Sequence, residues 1–142
     1  MGESTVVKNE KNLKTIYYTY FPAPAGPGGG RTLGFYFFND VLVGHEFSSS
    51  VTADHTDFDD SNVGQIIKGK STRAEVTALL GKPSGFYIYP MIKTQSGDAA
   101  VYQSSKVSGG FIITPSIFSK SLVVTFDPSG IVTDVEYSSG SR

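Results

Sequence analysis

Segments 33–49 and 122–139 can be laid over one another with one residue's difference at the turn, and each reads as a strand, a tight turn and a second strand. In the first, Leu33-Gly34-Phe35-Tyr36-Phe37-Phe38 passes through Asn39-Asp40 to Val41-Leu42-Val43-Gly44-His45-Glu46-Phe47. In the second, Leu122-Val123-Val124-Thr125-Phe126 passes through Asp127-Pro128-Ser129-Gly130 to Ile131-Val132-Thr133-Asp134-Val135-Glu136-Tyr137. A repeated hairpin in so short a chain predicts one sheet built from two equivalent halves, a geometry that suits a binding or scaffolding surface better than a catalytic pocket. The halves are unequal, because a helical segment precedes the second hairpin and none precedes the first.

The length of 142 residues suffices for one domain with a core of its own. A net charge of -1, without basic blocks, gives no electrostatic case for nucleic acid or an anionic membrane. The absence of cysteine excludes disulfides, thiolate metal sites and cysteine nucleophiles. Sixteen Gly, seven Pro, eight Tyr and ten Phe describe a turn-rich, aromatic β-protein. No apolar run approaches the ~20 residues that span a bilayer, and the first residues lack the apolar stretch of a signal peptide. Met1-Gly2 opens like a myristoylation site, but Val6 stands where Ser or Thr is wanted.

Along the chain, residues 1–12 are polar and aperiodic and read as a frayed arm. The β-branched and aromatic run 13–21 reads as a strand, and the Pro/Gly segment 22–30 as a flexible hairpin loop. Asn39-Asp40 is a two-residue connection tolerant of positive φ, so 13–50 forms a three-stranded meander, the partial first repeat. A polar linker, 51–58, follows. In 59–142, Val63, Ile66 and Ile67 at helical spacing behind Asp59, Asp60 and Ser61 predict a short helix. Thr72-Arg73-Ala74-Glu75 is a capping box that opens a second helix, ended by Gly81 and Pro83. A strand over 99–107, an apolar run Phe111-Ile112-Ile113 and the second hairpin complete the pattern. The expected fold class is α+β: an antiparallel sheet of about six strands, β-β-β then α-α-β-β-β, with a helix pair on one face.

The run Ile66-Ile67-Lys68-Gly69-Lys70-Ser71-Thr72-Arg73-Ala74-Glu75-Val76-Thr77-Ala78-Leu79-Leu80-Gly81-Lys82-Pro83 carries a resemblance when taken with Tyr102, Leu122 to Asp127 and Gly130-Ile131-Val132. Across about 59–137 it resembles the SmpA/OmlA family, which includes the BamE-type outer-membrane lipoproteins. The doubled arrangement is also similar to the β-lactamase inhibitor proteins, in which two helix-helix-sheet repeats share one sheet. The resemblance implies a non-enzymatic, periplasm-facing bacterial envelope protein that binds other envelope proteins, in outer-membrane assembly or integrity. It further implies a lipidated cysteine, expected upstream of Glu3, as the membrane anchor. An inhibitor-like module that blocks an enzyme through its loops is the alternative.

Residues upstream of Leu13 are too few and too polar to supply a first helix pair. Half the sheet is then expected to be bare, exposing Phe35, Phe37 and Val43, and such patches mark partner or self-association surfaces. A homodimer or a swapped assembly hinged at 48–57 follows as an expectation. Both faces of the strand 13–21 are aromatic, since side chains alternate. The candidate protein-contact residues are Tyr18, Tyr20, Tyr36, Phe38, Phe86, Tyr87 and Tyr89. For chemistry, Asp54-His55-Thr56-Asp57-Phe58-Asp59-Asp60 offers oxygen ligands for a hard cation, but lacks the Gly and terminal Glu of an EF-hand loop, and Asp59 and Asp60 suit a helix N-terminus. His45 and His55 stand without a nucleophile motif. Gly26 to Arg31 lacks the Lys-Ser/Thr pair of a phosphate loop. No catalytic residue, metal or cofactor is assigned.

Overall fold

Two-residue turns decide the first half of the molecule. Lys11 and Asn12 adopt φ of 45° and 68°, and Asn39 and Asp40 adopt 47° and 64°, the doubly left-handed geometry that reverses a strand without splaying the pair. A computed structural model describes residues 2–21, 29–109, 114 and 116–142. Its strands are β1 (Gly2–Glu10), β2 (Leu13–Phe21), β3 (Arg31–Phe38), β4 (Val41–Ser49), β5 (Gly85–Tyr87), β6 (Asp98–Ser108), β7 (Ser116–Phe126) and β8 (Val132–Ser141). They form one antiparallel sheet in sequence order from β1 to β8.

Between β4 and β5 lie a 3-10 turn (Thr52–Asp54), a 3-10 helix (Asp60–Gln65) and one α-helix, α1 (Arg73–Leu80). The capping box predicted at Thr72 opens α1: the Thr72 hydroxyl accepts from the Glu75 amide at 3.3 Å, and the Glu75 carboxylate accepts from the Thr72 amide at 2.7 Å. The short helix expected around Val63 forms only as the 3-10 segment Asp60–Gln65, not as an α-helix. Asp59 accepts from the Ser61 amide at 3.0 Å, the Asn62 side-chain amide donates to the Leu79 carbonyl at 3.0 Å, and Ile67 is 52% exposed. The Asp59 bond caps the segment and the Asn62 bond ties it to the end of α1, and with Gly64 inside it the segment stays a short 3-10 helix.

The fold is therefore mostly β, and the expected α+β class with a helix pair over about six strands is overturned. Two strands escaped the sequence reading. β1, read as a frayed arm, pairs with β2 from Gly2↔Phe21 to Glu10↔Leu13. As an outer strand it carries no apolar alternation to betray it. β5 has three residues, too few for a period, yet it bridges β4 and β6 and joins both halves in one sheet. Phe111-Ile112-Ile113 and most of the 22–30 loop lie outside the described residues.

The hydrophobic core sits on one side of β6–β8. Ala100, Tyr102, Leu122, Val124, Phe126 and Val132 face Val76 and Leu80 of α1, together with Ile66 and Phe58. Phe58, within the segment read as a linker, is 5% exposed and belongs to this core. The Tyr102 hydroxyl donates to the Gly81 carbonyl at 3.1 Å, tying the end of α1 to the sheet, and burial pushes its pKa up to about 12. On the opposite side, Val101 is fully buried and Ile92 is 7% exposed, in the segment between β5 and β6 that lies near Val123 and Thr125. Among the described residues, the core cluster draws none from β1–β5.

Candidate functional site

Register places the aromatic residues of β2–β5 on two faces. Ile16, Phe35, His45, Phe86 and Ala100 are successive cross-strand partners, so they share one face, the same one that α1 covers farther along the sheet. Their rings form a ladder: Tyr18 meets Phe35 edge-on at 6.2 Å, Phe35 tilts against His45 at 6.5 Å, and His45 meets Phe86 edge-on at 4.7 Å. Such edge-to-face pairs are favoured by the ring quadrupole. Tyr18 remains 49% exposed, and Phe35, His45 and Phe86 are half-buried. Leu33 and Phe47, paired next to this row, extend it with apolar surface.

The opposite face holds a second constellation. Tyr17, Gly34, Glu46, Gly85 and Val101 are successive partners, flanked by the row Thr15, Tyr36, Gly44, Tyr87 and Ala99. Tyr36 donates to Glu46 Oε1 at 2.7 Å, Tyr87 donates to Glu46 Oε2, and Gln103 Nε2 donates to Oε2 at 3.4 Å. The Tyr17 and Tyr36 hydroxyls lie 3.1 Å apart; with the Tyr36 proton given to Glu46, Tyr17 is the donor between them. Burial, reinforced by Tyr17 and Glu46, raises the Tyr36 pKa far above the usual phenol range, and burial with Glu46 does the same for Tyr87. Two glycines make room for the rings. A Cβ at Gly44 would stand 2.7 Å from the Tyr87 ring, and one at Gly34 would stand 3.1 Å from that of Tyr17.

The expected contact residues are thus not one surface. Tyr18, Tyr20 and Phe86 lie on the ladder face by register, while Tyr36, Phe38 and Tyr87 lie on the other. Tyr36 is 8% exposed and acts as a packed member of the tyrosine cluster, whereas Tyr89, 43% exposed, lies beyond the end of β5. Of the residues expected to be bare, Phe35 and Phe37 are half-buried and Val43 is only 4% exposed. The chain beyond β5 runs beside Val43, with the Ile88 amide donating to its carbonyl at 2.8 Å. Sequence reasoning placed Tyr17 in an aromatic series but missed Glu46 and Gln103. The available signal was Glu46, the one acidic residue in the strand Val41–Ser49.

The acidic cluster separates into clamps. Asp54 accepts from Arg31 Nε at 2.6 Å and Nη2 at 2.8 Å, and from Ser49 at 2.5 Å, and these bonds hold its pKa at about 2. Burial pushes the Asp57 carboxyl up, but Lys106 at 2.7 Å and Lys120 at 2.9 Å outweigh it and bring its pKa to about 2. Asp60 is lowered by the Tyr137 hydroxyl at 2.6 Å and by Lys120 at 3.2 Å. The Lys120 side chain, 8% exposed, also donates to the Phe58 carbonyl and lies 4.6 Å from the Phe58 ring centre. His55 closes the 3-10 turn with a φ of 51°. Among the described residues no group of three or more His, Cys, Asp or Glu converges as a metal site would, and no helix is long and apolar enough to cross a membrane.

No family model matches the chain, and neither the curated proteins nor the solved structures yield a match. The described residues define a single antiparallel meander, layered by α1 over β6–β8 and open over β2–β4.

Proposed function

We propose that the chain is a non-enzymatic protein-binding module that holds its partner on the ladder face of β2–β5. The observation that carries this reading is the row Tyr18, Phe35, His45 and Phe86, which leaves the covered part of the sheet and continues where α1 no longer lies over it. Tyrosine and phenylalanine presented by a sheet give large contact area at low conformational cost, and are enriched in protein interfaces. The non-enzymatic part rests on how the chemical groups are employed: Asp54, Asp57 and Asp60 bind basic side chains, Ser49 bonds Asp54, and His45 packs between two rings, tilted against one and edge-on to the other. The setting in the bacterial envelope, with other envelope proteins as partners, rests on the likeness of residues 59–137 to the SmpA/OmlA lipoproteins.

Photo-crosslinking tests the reading. A photo-reactive phenylalanine analogue at Tyr18 is expected to capture one defined protein, or a second copy of the chain, in envelope preparations. The same analogue at Phe118, which is 40% exposed but near the start of β7, five strands from β2, is expected to capture neither. Equal capture from both positions, or none from Tyr18, ends the proposal.

A further inference from the structure

We infer that Glu46 and the tyrosines around it form a binding site for a single primary ammonium group, the group a lysine side chain carries. This site lies on the face opposite the aromatic ladder, so it stands or falls independently of the partner surface proposed above. Three observations carry it. Glu46 is a half-buried carboxylate whose donors are all neutral, and among the described residues no basic group lies within ion-pairing distance of it. Its neighbours Tyr17, Tyr36 and Tyr87 stand at steep angles to one another, with Tyr36 edge-on to Tyr17 at 6.2 Å and to Tyr87 at 5.6 Å. Tyrosine rings gathered about a carboxylate offer a cation aromatic surface beside the opposite charge.

The hydrogen-bond inventory fixes which cation. An ionised carboxylate has about four acceptor positions, two on each oxygen. Among the described residues, Oε2 accepts from Tyr87 and Gln103, whereas Oε1 accepts from Tyr36 alone. One position remains, on Oε1. A guanidinium reads carboxylates through two parallel N–H bonds and finds only one acceptor here. A quaternary ammonium has no N–H to donate. A primary ammonium offers one N–H to Oε1 and lays its charge and methylene stem against the rings of Tyr17 and Tyr87, both half-buried rather than sealed. The bare backbone at Gly34 and Gly44 is what allows those rings to lie close around the carboxylate.

The test titrates the intact chain with Nα-acetyl-lysine amide while tyrosine ring resonances are followed by NMR. The expected result is a saturable shift of the Tyr17, Tyr36 and Tyr87 rings, and at least about tenfold weaker response to the Nε-acetylated form of the same molecule, which lacks the charge but keeps the stem. The arginine analogue and choline are expected to bind more weakly than the lysine probe. Glu46→Gln keeps a hydrogen-bonding group in place, and is expected to abolish the response with the sheet intact by circular dichroism. No saturable shift on the unaltered protein, or equal responses to the charged and acetylated probes, overturns the inference whether or not Glu46→Gln folds. Preference for choline overturns its assignment to a primary ammonium.

Discussion

The hairpins β3–β4 and β7–β8 share local geometry but not surroundings. Each has a register shift at the matching place, between Tyr36 and Phe37 in one and between Thr125 and Phe126 in the other, where an extra residue on the returning strand bends the ladder. Phe35 faces His45 in the first as Val124 faces Val135 in the second. Yet Val124 and Phe126 are completely buried beneath the core around α1, while Phe35 and Phe37 keep part of their surface. The difference teaches that strand pairing and turn chemistry suffice to set a hairpin's shape, whereas the layer above it decides whether its side chains act as core or as contact surface.

The largest effect that can break this comparison is a pair of matched truncations. Phe126→Ala removes a ring with no exposed surface, which also lies beneath the Arg73 guanidinium at 4.2 Å, and is expected to cost about 3–5 kcal/mol. Phe35→Ala removes a half-buried ring paired across strands with Tyr18 and His45, and is expected to cost about 1 kcal/mol. Urea unfolding of both variants reads the contrast. Equal losses would mean that the first hairpin is as deeply embedded as the second, and the distinction between covered and open halves would be lost.

A glycine pair sharpens it next. At Gly44 an added methyl collides with the Tyr87 ring and the Phe86 carbonyl, so Gly44→Ala is expected to cost about 1–3 kcal/mol by overpacking. Gly64, in the 3-10 helix, has nothing within 4 Å of a built Cβ, so Gly64→Ala is expected to be neutral or to stabilise by up to about 1 kcal/mol. If Gly44→Ala proves neutral in the same unfolding assay, the tyrosine cluster is loose and cannot hold Glu46 in place. Thr72→Ala, which deletes the capping hydroxyl of α1, is expected to cost about 1 kcal/mol, again by urea unfolding.

What could be read from the chain follows the same division. The capping box at Thr72, the turn at Asn39-Asp40 and the buried alternation Leu122, Val124, Phe126 are local signals, each complete within a few residues, and the structure contains them all. β1 and β5 were illegible because one lies at the sheet edge and the other is too short for a pattern. The helix pair was over-read: Val63, Ile66 and Ile67 keep helical spacing, but Ser61, Asn62 and Gly64 supply little helix propensity, and the segment is 3-10. At the candidate site, aromatic content was visible, but which rings share a face depends on register between strands far apart in sequence. Glu46 meets Tyr36 across one strand pair and Gln103 across two, and no local pattern reports that.

The smallest expected effect concerns pH, and it separates the halves through their clamps. Asp54 and Asp57 both have folded pKa values of about 2, below the ~3.9 of an unfolded aspartate. A depressed carboxyl contributes stability that is present in full above its unfolded value and is lost as pH falls through its folded value, so these contributions fade between about pH 4 and about pH 2. Asp54 ties the start of β3 to the end of β4 through Arg31 and Ser49, in the open half. Asp57 ties the segment before the 3-10 helix to β6 and β7 through Lys106 and Lys120, in the covered half. Asp57→Asn is therefore expected to flatten the acid limb of global stability, measured as the urea midpoint at successive pH values. Asp54→Asn is expected to leave most of that limb intact and instead to speed hydrogen exchange at the adjoining ends of β3 and β4 above pH 4. Because both carboxylates are partly open to solvent, each effect is a fraction of that of Phe126→Ala. Should the two variants change the same amides and the same limb, the halves unfold as one unit, and the openness of the first is a matter of surface alone.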